Sequence, residues 1–176
     1  ESIFIGNEDM RQQLPKEAKN FENHHKTFKK LNEQAMKNPN ILVNCVQIES
    51  TLPQLRSLVA DFDKSQKSLS DYLNSKKVCF PRFYFISDDD LLSILGSSEI
   101  IAVNPHLMKL FDNCKELKME NGKTIQGMVS EEGESFEFLE PLKPEGPVEV
   151  WMARVEEAMR STLKALTKEG IFNFAK

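Results

Sequence analysis

The segment from Lys76 to Gly96, KKVCFPRFYFISDDDLLSILG, is the stretch around which the chain is organised. Pro81 has no amide hydrogen, and its ring turns Phe80 away from helical dihedrals, so a helix arriving from Tyr72 must end close by. The aromatic run is therefore a corner. Beyond it, Ser87 offers an oxygen to the free amides of a new helix, Asp88 to Asp90 lie at the positive end of that helix, and Gly96 marks its stop. Buried aromatics dominate core energetics. Phe80, Pro81, Phe83 and Phe85 are accordingly expected to form a structural corner, with Trp151 as a second core anchor. In an extended run Phe83 and Phe85 share one face and Tyr84 takes the other, which makes Tyr84, with Arg82 beside it, the candidate contact for a partner.

On the N-terminal side, Asn7 to Asn38 reads as helical with a break before Pro15. Its stripe is Ala18, Phe21, His25, Phe28, Leu31 and Ala35. His24 and His25 are adjacent, so they face different sides of a helix and do not make a metal-ligand pair. Asn38-Pro39-Asn40 breaks the helix, and Ile41 to Val46 is a short apolar crossing. A second helix, capped by Thr51 with Pro53 in its first turn, is expected to reach about Asn74. Its seam is Leu52, Leu55, Val59, Phe62, Gln66, Leu69 and Leu73, and a partly buried Gln66 needs a hydrogen-bond partner. Leu58 and Tyr72 widen the stripe towards bundle packing.

After the corner helix, Ser97 to Glu99 is a polar loop. Pro105 opens a helix presenting Leu107, Met108, Leu110 and Phe111, with His106 on the surface. The pattern then changes. Leu117 and Met119 alternate with Lys118 and Glu120, Asn121-Gly122 is a strong hairpin signal, Ile125 to Val129 returns, and Gly133 turns the chain towards Phe136 and Phe138. Two or three antiparallel strands are expected, packed through those phenylalanines on a helix. Pro141, Pro144, Gly146 and Pro147 make a stiff connector to a closing helix whose stripe is Val148, Trp151, Val155, Met159, Thr162, Leu163 and Leu166, ending at Gly170. The expected class is mainly α: an elongated helical bundle with a small antiparallel β-hairpin element, an α-rich α+β fold. It divides into a helical part over 1–114, a β element over 115–140 and a closing helix over 147–169.

The 176 residues carry 23 basic and 27 acidic side chains, a net charge of −4 that offers no general footprint for nucleic acid. No apolar run approaches the roughly 20 residues that span a bilayer. A soluble intracellular protein with a protein partner is expected, and the opening on Glu1 together with Phe172 and Phe174 in the tail suggests a piece of a longer domain. Cys45, Cys79 and Cys114 are odd in number and far apart, which fits buried free thiols in a reducing compartment. There is no GxxxxGK[ST], HExxH, paired CxxC or GxSxG. Asp88 to Asp90 lack EF-hand spacing and are read as a solvated helix start. Glu131, Glu132 and Glu134 form an exposed turn that is a candidate contact for a basic surface. No cofactor, metal or catalytic residue is assigned. An enzyme would need Cys79 or Cys114 paired with a distant histidine, and a free-standing helical protein-binding adaptor is the alternative function.

The sequence FPRFYFISDDDLLSIL resembles a segment of dynein heavy chains written FPRF-aromatic-F-(L/V/I)-S-(D/N)-(D/E)-LL-x-IL, in the linker N-terminal to the motor ring. EDMRQQLPKEAKNF, KNPNILVNC, SLSDYLNSKK, NPHLMKLFDN, MVSEEGESFEF and VEVWMARVEEAMRSTLKAL resemble the matching stretches, in the same order along nearly the whole chain. The resemblance implies a mechanical linker segment that docks on the AAA+ ring of the same heavy chain and transmits the power stroke. It also implies other dynein subunits and microtubules as partners of the parent motor, with no nucleic acid and no membrane. The implied location is cytoplasmic and cytoskeletal, in a cilium or flagellum axoneme. The parent would be a microtubule-stimulated ATPase, whereas this stretch, without a phosphate-cradling loop, would not turn over nucleotide itself. Bending would localise at Asn38 to Asn40, Phe80 to Ser87 and Pro141 to Pro147.

Overall fold

The computed structural model describes residues 14–97 and 99–174. The expected helical stretch over residues 7–13, Ser98 of the polar loop, the last two residues of the tail and the side chain of Cys45 lie outside what is described. The described residues form an α-rich α+β fold with one three-stranded antiparallel sheet. Contacts divide the chain into two units between Tyr72 and Leu73, inside the second helix.

In the first unit, helix α1 (Pro15–Lys37) starts on Pro15, as a residue without an amide hydrogen favours, and stops before Asn38, whose backbone is extended. Phe62 of helix α2 (Thr51–Cys79) meets two members of the α1 stripe, with ring centroids 5.9 Å from Phe21 and 6.2 Å from Phe28, and also His24, which the expected stripe left out, at 6.4 Å. No residue of α1 is fully buried, because a one-sided contact leaves the flanks of each side chain in water. His25 stacks on Phe21 while His24 Nε2 lies 3.5 Å from Asp61 Oδ2, so the two histidines diverge. The apolar crossing between the helices is a π-helical turn, Leu42–Gln47, steadied by Asn44 Nδ2 donating to the Asn38 and Asn40 carbonyls.

Helix α2 corrects three sequence expectations. It runs on to Cys79, with Thr51 already inside it. Its buried positions are Thr51, Leu58, Ser65, Leu73 and Lys76: Leu73 lies on the expected seam and Leu58 on its widened edge, but over the first turns the buried face is turned by about one residue, so that Leu52, Val59 and Gln66 are exposed. Ser65 stands in Gln66's place and satisfies its hydroxyl by donating to the Asp61 carbonyl. Cys79 is exposed at the end of the helix, whereas Cys114 is buried as expected.

The second unit is built around the corner. A 3-10 turn, Pro81–Phe85, leads through Ser87, whose hydroxyl accepts from the Asp90 amide, into helix α3 (Asp88–Gly96). Pro105 does not open an α-helix: it sits inside a 3-10 stretch, Ile100–His106, followed by the single turn α4 (Leu107–Leu110). His106 is half-buried, not on the surface, with Nδ1 3.6 Å from Asp90 Oδ1. Phe80, Phe83, Leu91, Ile94, Val103 and Leu107 form the core beneath.

Strands β1 (Glu116–Glu120), β2 (Thr124–Val129) and β3 (Ser135–Leu142) pair in that order. Asn121 and Gly122 both take positive φ, 52° and 67°, and Lys123 donates to the Glu120 carbonyl, which closes the mirror-image turn. Gly127 is demanded by packing, since a Cβ there would lie 2.0 Å from the Phe136 carbonyl oxygen. Pro141 belongs to β3 and not to the connector. It falls where the register slips between Ile125 and Gly127, on the strand at the edge of the sheet, so no ladder bond is lost to it. Helix α5 (Val148–Phe174) packs Trp151, Met152, Val155 and Thr162 inward, and Thr162 Oγ1 accepts from the Leu139 amide of β3. Gly170 does not end α5. One exposed glycine costs about 1 kcal/mol against alanine, too little to stop a helix whose neighbours continue it. Leu163, Leu166, Ile171, Phe172 and Phe174 remain exposed along its later turns.

Candidate functional site

Because the corner is a 3-10 turn, side chains three apart share a face. Phe80, Phe83 and Ile86 therefore point inward, at 1%, 0% and 5% exposure, while Tyr84 and Phe85 point out at 58% and 68%. This corrects the expectation that Phe85 shares the buried face of Phe83, which assumed an extended period of two. Phe80 meets Phe83 edge-on with centroids 4.9 Å apart and reaches Phe111 at 6.3 Å. Pro81 is exposed at the start of the turn, and Trp151 is buried in α5.

Arg82 turns back into the fold. Its Nη1 donates to the Leu110 carbonyl at 2.8 Å, its Nε lies 3.3 Å from Glu156 Oε2, and its guanidinium lies 4.7 Å from the Phe111 ring centre. Burial pushes the Glu156 carboxyl up, but hydrogen bonds from Arg82 and Arg160 outweigh it and hold the carboxyl below its ordinary value. A second tie, Lys76 Nζ to Glu149 Oε1, joins the end of α2 to the first turn of α5 and is buried at both ends. Neither tie had a sequence signal, because the partners stand 74 and 73 residues apart.

Tyr84 shares the outward side of the corner with Phe85. Lys77 Nζ lies 5.7 Å from the Tyr84 ring centre and 2.6 Å from Asp88 Oδ1, a cluster in which Tyr84 and Asp88 are exposed and Lys77 is half-buried. Glu131, Glu132 and Glu134 lie on the turn between β2 and β3, all exposed. That turn is closed by Ser130, which donates to the Glu134 carbonyl through its amide and accepts the Glu134 amide on its hydroxyl. Glu132 Oε2 accepts from Asn113 Nδ2 at 3.0 Å, a bond that holds its carboxyl below the ordinary range. Among the described residues no group of three His, Cys, Asp or Glu could hold a metal ion, and no helix is long and apolar enough to cross a membrane.

Near the glutamate turn lies a cleft of 640 Å³ between α5 and the ends of β2 and β3. Its walls include Phe111, Cys114, Met128, Phe136, Met159 and Leu163, with Asp112 and Glu134 at its mouth. Burial pushes the Cys114 thiol up to about 11, which keeps it neutral and poorly nucleophilic.

Residues 1–170 match the family described as dynein heavy chain, N-terminal region 2. The chain is 51% identical over its full length to the Dynein-1-alpha heavy chain, flagellar inner arm I1 complex, of Chlamydomonas reinhardtii. It is 46% identical to human Dynein axonemal heavy chain 10 over 99% of its length, and 43% identical to mouse Dynein axonemal heavy chain 2 over 96%. It spans 4% of the length of each of these relatives. The chain thus belongs to the dynein heavy chain family, within its N-terminal region 2.

Proposed function

We propose that this segment is a mechanical element of an axonemal dynein: part of the linker that docks on the AAA+ ring of its own heavy chain and transmits the power stroke. The observation that carries this reading is the match of residues 1–170 to N-terminal region 2 of dynein heavy chains, in a stretch without a phosphate-cradling loop. The relatives, which include axonemal and flagellar inner-arm heavy chains, support a place in a cilium or flagellum, and membership of the dynein heavy chain family supports work on microtubules beside other dynein subunits through the parent motor. Physical support comes from the second unit. The Arg82–Glu156 and Lys76–Glu149 ties fasten the corner and the end of α2 to α5, which suits a body that must carry load without shearing.

Nucleotide chemistry is assigned to the rest of the heavy chain, and no cofactor to this part. Tyr84, which points outward beside Phe85, is the corner residue retained for a ring contact, since Arg82 is spent inside the fold. Tyr84→Ala tests the reading. The isolated chain should melt as the parent does, whereas the full motor carrying the change should retain ATP turnover and glide microtubules more slowly. Unchanged gliding would remove Tyr84 from the docking surface. Nucleotide turnover by the rigorously purified segment would overturn the linker assignment itself.

A further inference from the structure

The cleft between α5 and the sheet combines two properties that are seldom left together without use. Its floor is apolar and soft, made by Phe111, Met128, Phe136 and Met159, and flexible methionines adapt to irregular partners. Its volume of 640 Å³ lies within the roughly 300–1,000 Å³ of ligand-holding clefts and exceeds what one side chain fills. The floor also continues outward. Met159, Leu163 and Leu166 are spaced by four and three residues on α5, one face of the helix, and the last two are 43% and 46% exposed.

The mouth has one sign of charge. Asp112 and Glu134 line it, Glu132 is anchored beside it through Asn113, and none of the described lining residues is Lys or Arg. Glu132 is ionised at neutral pH, its carboxyl being held down by the Asn113 amide. An acidic rim around an apolar floor repels acidic partners and steers basic ones, while the floor supplies the anchor that affinity needs.

We infer that this cleft docks a basic protein segment in which an apolar anchor, Leu, Met or Phe, is flanked by Lys or Arg. The anchor enters between Met128, Phe136 and Met159. The flanking cations face Asp112 and Glu134, and further apolar residues follow Leu163 and Leu166 along α5. The inference goes beyond the linker reading, because it concerns recognition by this surface whichever polypeptide supplies the segment.

The probe is a random-peptide phage library panned on the full heavy chain, with enriched peptides then synthesised and titrated by fluorescence anisotropy against that chain and its variants. Enriched sequences should pair Lys or Arg with Leu, Met or Phe, and their affinity should fall as salt is raised. Leu163→Glu, at an exposed position, and Glu134→Lys, on an exposed turn, should each weaken binding by about tenfold or more while leaving circular dichroism and melting unchanged. Acidic or purely polar consensus peptides, no enrichment, or equal binding by both folded variants would overturn the proposal. So would a concentration-dependent dimer of the chain abolished by Leu163→Glu, which would show that a second copy fills the cleft.

Discussion

Arg82 and Glu156 meet across 74 residues of sequence, with Nε 3.3 Å from Oε2, and the same guanidinium caps the Leu110 carbonyl and lies against the Phe111 ring. One side chain thereby joins the aromatic corner, the end of α4 and the middle of α5. Hydrogen bonds to charged groups are worth about 1.5–3 kcal/mol, so Arg82→Ala should lower stability by about that amount. A double-mutant cycle with Glu156→Ala in urea checks the pair: a coupling energy near zero would mean that Arg82 acts through its packing on Phe111 alone.

The same carboxylate predicts an acid limb. Glu156 in the fold sits below its ordinary 4.5, so the stability it confers is whole above about pH 4.5 and is lost as the pH falls through the lower folded value. Glu156→Gln should therefore lose less stability than the parent between about pH 6 and pH 3. Asp61, Asp90, Glu132 and Glu137 are lowered as well and leave a residual slope of the same sign. Parallel pH profiles for variant and parent would contradict the role given to Glu156.

The corner gives a contrast between two phenylalanines separated by one residue. Phe83→Ala should cost about 3–5 kcal/mol, as truncation of a packed aromatic does. Phe85→Ala should stay within about 0.5 kcal/mol of the parent, as surface changes do. Urea midpoints of the two variants decide it. Equal losses would mean that the run is extended, with both rings on one face.

Gly127→Ala should be among the most damaging small changes in the sheet, by more than about 2 kcal/mol, because the new methyl collides with backbone and not with a movable side chain. Gly170→Ala, where a Cβ meets open space on α5, should be neutral or stabilising. Comparing the two melts separates steric need from helix propensity, and a Gly127→Ala variant as stable as the parent would refute the close approach.

Thiol labelling distinguishes the cysteines. In a Cys45→Ala background, Cys79 should react with a disulfide reagent at the rate of an exposed thiol. Cys114, buried and pushed up to about 11, should label only as the protein unfolds. Fast labelling of both in native protein would contradict the burial of the Cys114 sulfur.

Those features that depend on a residue and its near neighbours were legible in the sequence alone. Pro81 ended a helix, Ser87 capped the next, Asn121-Gly122 closed a hairpin, and the ordered run of motifs marked the family, because each acts through local dihedrals, missing amides or linear order. The glutamate turn around Gly133 was exposed for the same local reason. Tertiary structure decided what local rules leave equal. An aromatic run after a proline can be extended or 3-10, and packing of Phe80 on both Phe83 and Phe111 goes with the period of three that expels Phe85. A wide apolar stripe on α2 can bury either of two adjacent faces, and the buried Leu58, Ser65 and Lys76 mark the one chosen. Arg82 with Glu156, Lys76 with Glu149, and the cleft drawn from four separate segments have no trace in sequence spacing, since their energy exists only after the chain has brought distant residues within a few ångströms.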